Sequence, residues 1–299
     1  IYYNGEKYYS YGATADGAST SGTSSAYGPK FNGQNYFQYD PSRQGAGLTR
    51  SLWQPYTNNI SDFWRTGYTL SNNLSIEGGN DKGSARASIT HTKNEWIMPN
   101  TGFERINAAF STNYKVSDRL KITAKVNYTN KQSDNVPGTG YNNQSIAYFM
   151  IFQNPNVDLN WYRDRWKFGL EQVDQVHPFS SFIDNPFLIA YEMTNSVNNN
   201  NMIGNFAATF QVSKKLDVMI RSGIDMTGEQ RQQRRPFSTA NFLRGYFKQQ
   251  NITDYEVNSD VLLTYRDKIA GVIDITASAG GNLMSHKYNR IDAYVDGLV

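Results

Sequence analysis

Strict two-residue alternation from Glu104 to Lys131 constrains the fold of this chain more than any other sequence feature. In its first half, one side of the segment is apolar or aromatic at most positions: Ile106, Ala108, Phe110, Thr112, Tyr114 and Val116. Because successive side chains of a strand point to opposite faces, a period of two predicts a β-strand. The alternation resumes at Leu120 after Ser117-Asp118, so the segment predicts a hairpin of two long strands.

The length of these strands bears on the class of protein. Each has about eleven residues, which is what a tilted strand needs to cross a bilayer, whereas strands of globular proteins usually have about five or six. The apolar face suits lipid, and the other face carries Arg105, Lys115, Lys121 and Lys125. A large soluble β-sandwich with one solvated face shares this alternation. The hairpin alone therefore leaves both architectures open.

The same alternation recurs on both sides of the hairpin. It predicts two strands between Tyr68 and Glu95 and four between Gly204 and Ala279, with tight turns near Asn80, Ser117, Lys214 and Lys268. The connections between hairpins have about eight, seventy and thirty residues, and the last runs from Gly228 to Tyr255. Short turns at one rim and long loops at the other are typical of outer-membrane β-barrels.

We therefore predict an all-β fold, a transmembrane antiparallel up-and-down β-barrel with short periplasmic turns and long extracellular loops. Its parts are an extracellular loop region over 1–67, four strands over 68–132, a long extracellular loop over 133–201 and four strands over 202–286. Eight strands can close as a small barrel, but we expect a piece truncated at both ends. Basic residues of the polar face are expected to line a wet lumen: Arg86, Arg105, Lys121, Lys125 and Arg221.

The predicted loops contain unusual concentrations of apolar and aromatic residues. Eight tyrosines between Tyr2 and Tyr39 are too many for a disordered linker and predict ordered surface loops. A short helix is expected at Ile60 to Trp64, with Ser61 as its N-cap. In the long loop, the apolar run Ile146 to Phe152 predicts a buried helix or loop anchor, or else an interface with another subunit.

Composition excludes several classes of protein. No run reaches the 18 apolar residues of a transmembrane helix, so a helical membrane protein is excluded. The absence of cysteine excludes disulfides, thiolate metal sites and cysteine nucleophiles. A net charge of +3 gives no argument for nucleic acid. A mean hydropathy of −0.63 with 21 tyrosines fits transmembrane strands, and equally a secreted carbohydrate-binding β-protein.

Several stretches, taken in order, resemble the SusC/RagA-like family of TonB-dependent outer-membrane receptors. They are AYGPKFNGQ at 26–34, NNLSIEGGNDKGSARAS at 72–88, PNTGFERINAAFSTNYKVSDRLKI at 99–122, SDNVPGTGY at 133–141, NPFLIAYEMTNS at 185–196 and IGNFAATFQVSKKL at 203–216. The resemblance covers most of the chain. It implies an internal part of a 22-stranded barrel that an N-terminal plug domain fills, and the plug is not part of this sequence.

The resemblance also implies a function and partners. Such receptors import oligosaccharides or oligopeptides across the outer membrane of Gram-negative bacteria, together with a SusD-like surface lipoprotein that closes over the barrel. TonB drives transport through the plug, so energy coupling is an expectation here. Two alternatives stay open: a non-transporting outer-membrane barrel that acts as a scaffold or adhesin within a larger envelope complex, and a soluble carbohydrate-binding β-protein.

The predicted substrate-binding group lies in the long loop and is rich in aromatic and charged side chains: Tyr141, Trp161, Tyr162, Arg163, Asp164, Arg165, Trp166 and Phe168. Aromatic faces stack on the C–H faces of sugars or on peptide side chains. Arginine and aspartate add directional hydrogen bonds. The alternative is that these residues pack the loop against the plug or the lipoprotein lid.

No group of residues predicts catalysis, a metal ion or a cofactor. The histidines are isolated, with neither metal-ligand spacing nor an adjacent nucleophile: His91, His177 and His286. A glycosidase needs two carboxylates about 5 or 6.5–9.5 Å apart, and nothing in the sequence fixes such a distance between Asp158, Asp164 and Glu171. We therefore expect a protein that is not an enzyme.

Overall fold

The computed structural model describes residues 2–3, 6–7, 30–153, 155–178 and 183–298. Two small antiparallel ladders lie in the first part of the chain: β1 (Tyr2–Tyr3) with β2 (Glu6–Lys7), and β3 (Asn35–Asp40) with β4 (Gly45–Leu52). Helical segments follow at α1 (Asn59–Phe63), α2 (Ile146–Phe152), a 3-10 turn (Leu159–Tyr162) and α3 (Pro186–Tyr191). None of the helices in the described ranges is long and apolar enough to cross a bilayer.

The described residues contain one large antiparallel sheet in which each strand pairs with its neighbours in sequence. Its strands are β5 (Tyr68–Asn80), β6 (Gly83–Glu95), β7 (Gly102–Ser117), β8 (Leu120–Ser133), β9 (Asn195–Gln211), β10 (Leu216–Thr239), β11 (Phe242–Ile269) and β12 (Ile273–Asp296). This up-and-down order confirms the predicted fold class. Because β5 and β12 lie at opposite ends of the sheet, the chain forms an open section of barrel wall and not a closed eight-stranded barrel.

Side chains fix the tight turns at the predicted rim. Asn80 Oδ1 accepts hydrogen bonds from the N–H groups of Lys82 (2.9 Å) and Gly83 (3.2 Å). Ser117 Oγ accepts from the N–H of Leu120 at 3.2 Å. The last turn lies slightly later than predicted, because β11 continues to Ile269 before the chain reverses. These local bonds explain why short polar runs suffice to reverse the chain.

Two predicted loops differ from the structure. The long loop ends at β9, which begins at Asn195 and not after residue 201. The expected long connection over 228–255 is wrong, since β10 and β11 stay paired from Gly228↔Thr253 to Thr239↔Phe242. Every residue over 228–235 is glycine or polar, on both faces of the strand, so the alternation that signals a strand is lost there.

The short helix near residue 60 also differs in its start. It begins at Asn59, with Asn58 at the N-cap position, and Ser61 is not the cap. The Ser61 hydroxyl instead donates back to the Asn58 carbonyl at 2.8 Å, a local bond that serine makes readily. Four tyrosines that suggested ordered loops lie outside the described residues: Tyr8, Tyr9, Tyr11 and Tyr27.

Strand register gathers the apolar side chains of the sheet on one face. These exposed residues run from β5 to β12: Leu74, Ile76, Ile89, Phe110, Val126, Phe206, Phe210, Ile220, Val261, Leu263 and Leu283. Leu74 and Ile76 are 72% and 75% exposed. We call this the outward face. Soluble monomers rarely expose apolar surface on this scale.

The opposite, inward face of the sheet is polar. A cavity of about 500 Å³ opens on it, and Arg86, Ser111 and Lys125 lie in its wall. Farther along the same face, Arg221 Nε and Asp260 Oδ2 form an ion pair at 2.5 Å. Three of the basic residues predicted to face the lumen therefore lie on this polar face, away from the apolar side chains.

The apolar region of the outward face forms a band with tyrosines at both edges. On β11 the band extends from Tyr265 at the turn side to Tyr255, ten residues farther along the strand. At about 3.3 Å per residue this is about 33 Å of strand, which becomes about 25 Å of height at a tilt of about 40°. That height matches the lipid-facing band of outer-membrane barrels.

Candidate functional site

The long connection between β8 and β9 folds into a compact unit, here called the loop globule, over the described residues of 133–194. Its apolar core takes residues from each helical segment: Ile146, Tyr148, Phe149, Phe152, Leu159, Tyr162, Phe187, Ile189 and Ala190. Tyr39 and Phe63, from the first part of the chain, join the same core. The run predicted as a buried helix is α2, and Ser145 Oγ accepts from the Tyr148 N–H at its start.

Asn185 holds three segments of the loop globule together. Its Oδ1 accepts from the N–H groups of Phe187 (2.8 Å) and Leu188 (3.3 Å), which caps α3. Its Nδ2 donates to the carbonyls of Tyr162 and Val176, each at 3.0 Å. Because the side chain is completely buried, these partners replace the water that its amide would otherwise bind.

A polar lock joins the loop globule to the tip of the β10–β11 hairpin. Gln175 Nε2 donates to Asp184 Oδ1 (2.8 Å) and to the Ser238 carbonyl, and the Ala240 N–H donates to the same Asp184 oxygen at 2.8 Å. Burial raises the pKa of Asp184 to about 6, although both hydrogen bonds oppose the rise. Asp184 Oδ2 has no hydrogen-bond partner among the described residues.

Arg235 makes a second link between the hairpin and the loop globule. This buried guanidinium donates to Gln144 Oε1 (2.9 Å from Nε), to Asn195 Oδ1 (2.7 Å) and to the Thr194 carbonyl (3.0 Å). The planar fork of arginine suits three acceptors at fixed directions. The loop globule is therefore held against the extended strands and presents a defined surface.

Trp161 and Tyr162 form part of an aromatic cluster. The Trp161 ring stacks on Tyr39 with 5.8 Å between centroids and meets Tyr56 edge to face at 5.4 Å. Tyr162 is 0% exposed and packs edge to face on Tyr39 at 5.4 Å. Burial raises the pKa of both Tyr162 and Tyr39, which keeps these phenols neutral. Trp161 is half-buried and so keeps some surface open.

The charged residues that follow Tyr162 lie at the surface with different partners. Arg163 Nε donates to Asn160 Oδ1 at 2.7 Å, and the guanidinium lies 5.1 Å from the Phe187 ring centroid. Arg165 pairs with Glu192 at 3.2 Å. Asp164 is exposed. The guanidinium groups are thus held in place by neighbours at the surface of the loop globule.

Trp166 and Phe168 belong to a small hairpin that ends in an exposed turn. Trp166 pairs with Gln175, and Lys167 Nζ bonds Asp174 Oδ2 at 2.5 Å. Gly169 has a φ of 75°, a backbone angle that glycine adopts without strain. Phe168 lies at this turn with 94% of its surface exposed. An exposed phenylalanine on a hairpin held by an ion pair is a candidate contact for a ligand or a partner.

Tyr141 lies elsewhere on the loop globule. It is 73% exposed, and its ring contacts Tyr148 and Phe152 of α2 at 4.6 and 6.1 Å. Ring contacts among the described residues do not join Tyr141, Trp161 and Phe168. The five aromatic residues of the predicted group thus occupy three places: the cluster at Tyr39, the 166–175 hairpin and the α2 face.

Sequence reasoning did not assign Tyr39 and Tyr56 to the site. Both come from the first part of the chain, about a hundred residues before Trp161, and both touch its ring. The tyrosine richness of that region was the available signal. It indicates ordered loops but contains no information about which ring packs on which.

Two of the three carboxylates that could suggest a glycosidase serve as local caps. Asp158 Oδ1 accepts from the Asn160 N–H at 2.9 Å, and Glu171 Oε1 accepts from the Gly169 N–H at 3.0 Å. His177 lies 3.7 Å from Asp174, and burial lowers the pKa of its imidazole. In the part of the chain that the structure describes, no three acidic or histidine side chains are grouped to hold a metal ion.

No protein-family model and no curated protein matches this sequence. Among solved structures, the fold is similar to the RagAB peptide importer in its closed-closed state, at a TM-score of 0.61 and 17% identity over 80% of this chain. It is also similar to a RagAB peptide transporter, at a TM-score of 0.61 and 19% identity over 77% of this chain. The importer in its open-open state matches at a TM-score of 0.61 and 17% identity over 79% of this chain. This chain covers 26–27% of the chains it matches. At this identity the likeness shows the fold.

Proposed function

We propose that this chain is part of the wall and extracellular surface of a β-barrel that imports a nutrient across the outer membrane of a Gram-negative bacterium. The observation that carries the proposal is the exposed apolar band, about 25 Å high, on the face opposite a charged one. A soluble β-protein would bury such a surface in a core. We therefore infer that the outward face contacts lipid.

The proposed cargo is an oligopeptide, with an oligosaccharide as the alternative. The solved structures of similar fold are described as peptide importers or transporters, which favours the peptide. Transport would use a SusD-like lipoprotein over the barrel and TonB acting through a plug domain, as the family resemblance implies.

The loop globule is the proposed contact surface for the cargo or the lid. Tyr141, Phe168 and the open part of Trp161 offer aromatic faces, while Arg163 and Asp164 offer charge at the surface. Tyr39 stacks on Trp161 and is itself packed against the buried Tyr162. This surface suits a peptide, because the aromatic side chains of a peptide can stack on its rings and the charged side chains and backbone amides of a peptide can bond to Arg163 and Asp164.

The test uses the full-length protein with its lipoprotein, reconstituted in bilayers. An oligopeptide library is first bound to the wild type to find the peptides that it retains. Calorimetry then gives the affinity of these peptides for the wild type and for the variants Tyr141→Ala and Phe168→Ala. We expect each to weaken binding by about tenfold, which corresponds to about 1.4 kcal/mol. Val272→Ala is the matched control, because this exposed residue lies in a turn at the opposite rim.

The outcomes separate transport from a scaffold role. Peptide uptake into vesicles that needs a proton-motive force supports the importer. A protein that inserts into bilayers but retains neither peptide nor oligosaccharide, with both variants equal to Val272→Ala, would overturn the proposal in favour of the scaffold.

A further inference from the structure

Four consecutive asparagines in β9, Asn198 to Asn201, divide between the two faces of the sheet. On the inward face, Asn199 Nδ2 donates to Glu229 Oε2 at 2.8 Å, and Asn201 Nδ2 donates to Thr227 Oγ1 at 2.9 Å. On the outward face, Asn198 and Asn200 each accept from Asn130 Nδ2, at 3.0 and 2.9 Å. The two inward asparagines thus bond to a carboxylate or a hydroxyl, whereas the two outward ones share an amide partner, Asn130.

The outward asparagines belong to a larger group directly above the apolar band. The two rows beyond Tyr128 and Tyr255 on β8–β11 comprise eight outward positions, and six of these are amides. The amide belt is Asn130, Gln132, Asn198, Asn200, Gln230 and Asn251. Gly228 and Thr253 fill the other two, so these eight described positions include no charged residue.

The inward face of the same strands is different at the same height. It carries Lys131, Glu229 and Asp254 between the neutral residues. These strand segments therefore contain charged residues, but the charges lie on the inward face and not on the outward one. On β5–β7, the corresponding outward rows carry charges such as Lys93 and Glu104, which pair at 4.0 Å. The belt is confined to β8–β11.

The belt begins within the polar interface of the membrane and reaches its outer limit. Its upper row lies four residues beyond Tyr255, which is about 13 Å along the strand and about 10 Å above the apolar band at the same tilt. The polar interface of a bilayer extends about 5–8 Å beyond the hydrocarbon on each side. If the outward face meets lipid, as in the proposed function on which this inference rests, the lower row of the belt lies within this interface, about 5 Å above the band, and the upper row lies just beyond it, where the sugars of a glycolipid extend.

We propose that the amide belt binds the saccharide headgroups of glycolipids in the outer leaflet. A carboxamide both donates and accepts hydrogen bonds, which matches the hydroxyl and amide groups of sugars. Phosphate recognition uses lysine and arginine, and neither occurs at the eight described outward positions of the two rows that contain the belt. The nearest outward charge on the described part of neighbouring β12 is Lys287, one row below.

Neighbouring amides orient one another within the belt. Asn130 bridges Asn198 and Asn200, and Gln230 Nε2 donates to Asn251 Oδ1 at 3.3 Å. Tyr128, at the upper edge of the apolar band, donates its hydroxyl to Asn200 Oδ1 at 2.7 Å. A surface whose amides are already fixed loses less side-chain entropy when it binds a sugar.

The experiment uses the full-length protein in nanodiscs with purified lipopolysaccharide as the probe. The amount of lipopolysaccharide retained is measured by native mass spectrometry and by competition with a fluorescent analogue. We expect Asn198→Ala with Asn200→Ala to weaken retention by about tenfold. The matched control is Asn199→Ala with Asn201→Ala, in the same run but on the inward face, and it should retain the wild-type amount. Resistance to unfolding in gel-shift assays on heating verifies that both double variants are assembled.

Two further arms identify the group that is bound. Lipopolysaccharide trimmed to its lipid part should bind the wild type as weakly as the outward variant, and removal of divalent cations should not change the difference. Equal losses in the outward and inward variants, or retention that ignores trimming and depends on cations and phosphate, would overturn the proposal. Peptide uptake is measured in parallel, so that failure of import is distinguished from failure of glycolipid binding.

Discussion

The buried carboxylate of Asp184 makes the polar lock sensitive to pH. Its pKa is raised from 3.8 to about 6, so the folded state binds this proton more tightly than an unfolded segment does. The stabilisation by the protonated form is complete below pH 3.8 and is lost as the pH rises through about 6. A shift of about two pKa units corresponds to at most about 3 kcal/mol between the two limits.

The change Asp184→Asn removes this titration while it keeps the lock. The asparagine Oδ1 can still accept from Gln175 and from the Ala240 N–H, and a neutral NH₂ replaces the unpartnered oxygen. We expect the variant to hold the hairpin more firmly than the wild type near pH 7.5, by about 1–3 kcal/mol. Near pH 4 the two proteins should differ little, because Asp184 is then mostly protonated.

Hydrogen exchange measured by mass spectrometry reports this local opening directly. The peptide that spans Ser238 to Phe242 is followed from pH 4 to 7.5, with correction for the intrinsic pH dependence of exchange. Wild-type protection should fall as the pH rises, whereas Asp184→Asn should show constant protection. Glu171→Gln, in the exposed turn of the 166–175 hairpin, is the control and should follow the wild type. Wild-type protection that does not vary with pH, or a variant less protected at neutral pH, would refute the reasoning.

Three other changes test the barrel wall and the loop globule. Ile122→Arg, on the outward face near the middle of the band, should cost about 2–4 kcal/mol of stability and reduce assembly into membranes, whereas the inward-facing Thr123→Arg should be tolerated. Equal assembly of both would contradict the lipid assignment. Asn185→Ala removes an N-cap and leaves two buried carbonyls unpaired, so we expect a loss of about 3 kcal/mol and rapid proteolysis of the loop globule; unchanged protease resistance would refute its role. Arg235→Lys cannot reach all its acceptors at once and should increase hydrogen exchange at Thr194 and Asn195, and unchanged exchange there would contradict the proposed link.

The sequence predicts best those parts of the chain in which each strand has one dry and one wet face. The hairpin at Ser117 and the strands on either side of it follow the alternation closely, since an outward Phe110 beside an inward Ser111 reports two different surroundings. Turns are predicted well for a similar reason: Asn80 and Ser117 bond to the backbone within three residues of themselves.

Contacts between distant parts of the chain could not be predicted. The stacking of Tyr39 on Trp161 and the link from Arg235 to Gln144 join residues about a hundred positions apart. Their residue types suit many partners, and only the folded chain selects one. The candidate site was therefore predicted as a set of residue types in one loop, while its division into three places and its supporting rings were not.

The failure at 228–255 has a physical cause that also bears on the amide belt. A ladder of backbone hydrogen bonds does not require apolar side chains, so β10 and β11 continue well beyond the apolar band of the outward face. Alternation in a sequence is a record of two different surroundings, and it disappears where both faces are polar. What remains there is a difference between neutral and charged residues, Gln230 and Asn251 outward against Glu229 and Asp254 inward. The proposed contact with glycolipid headgroups is a second polar environment, distinct from the lumen, and it would account for this difference where the apolar signal ends.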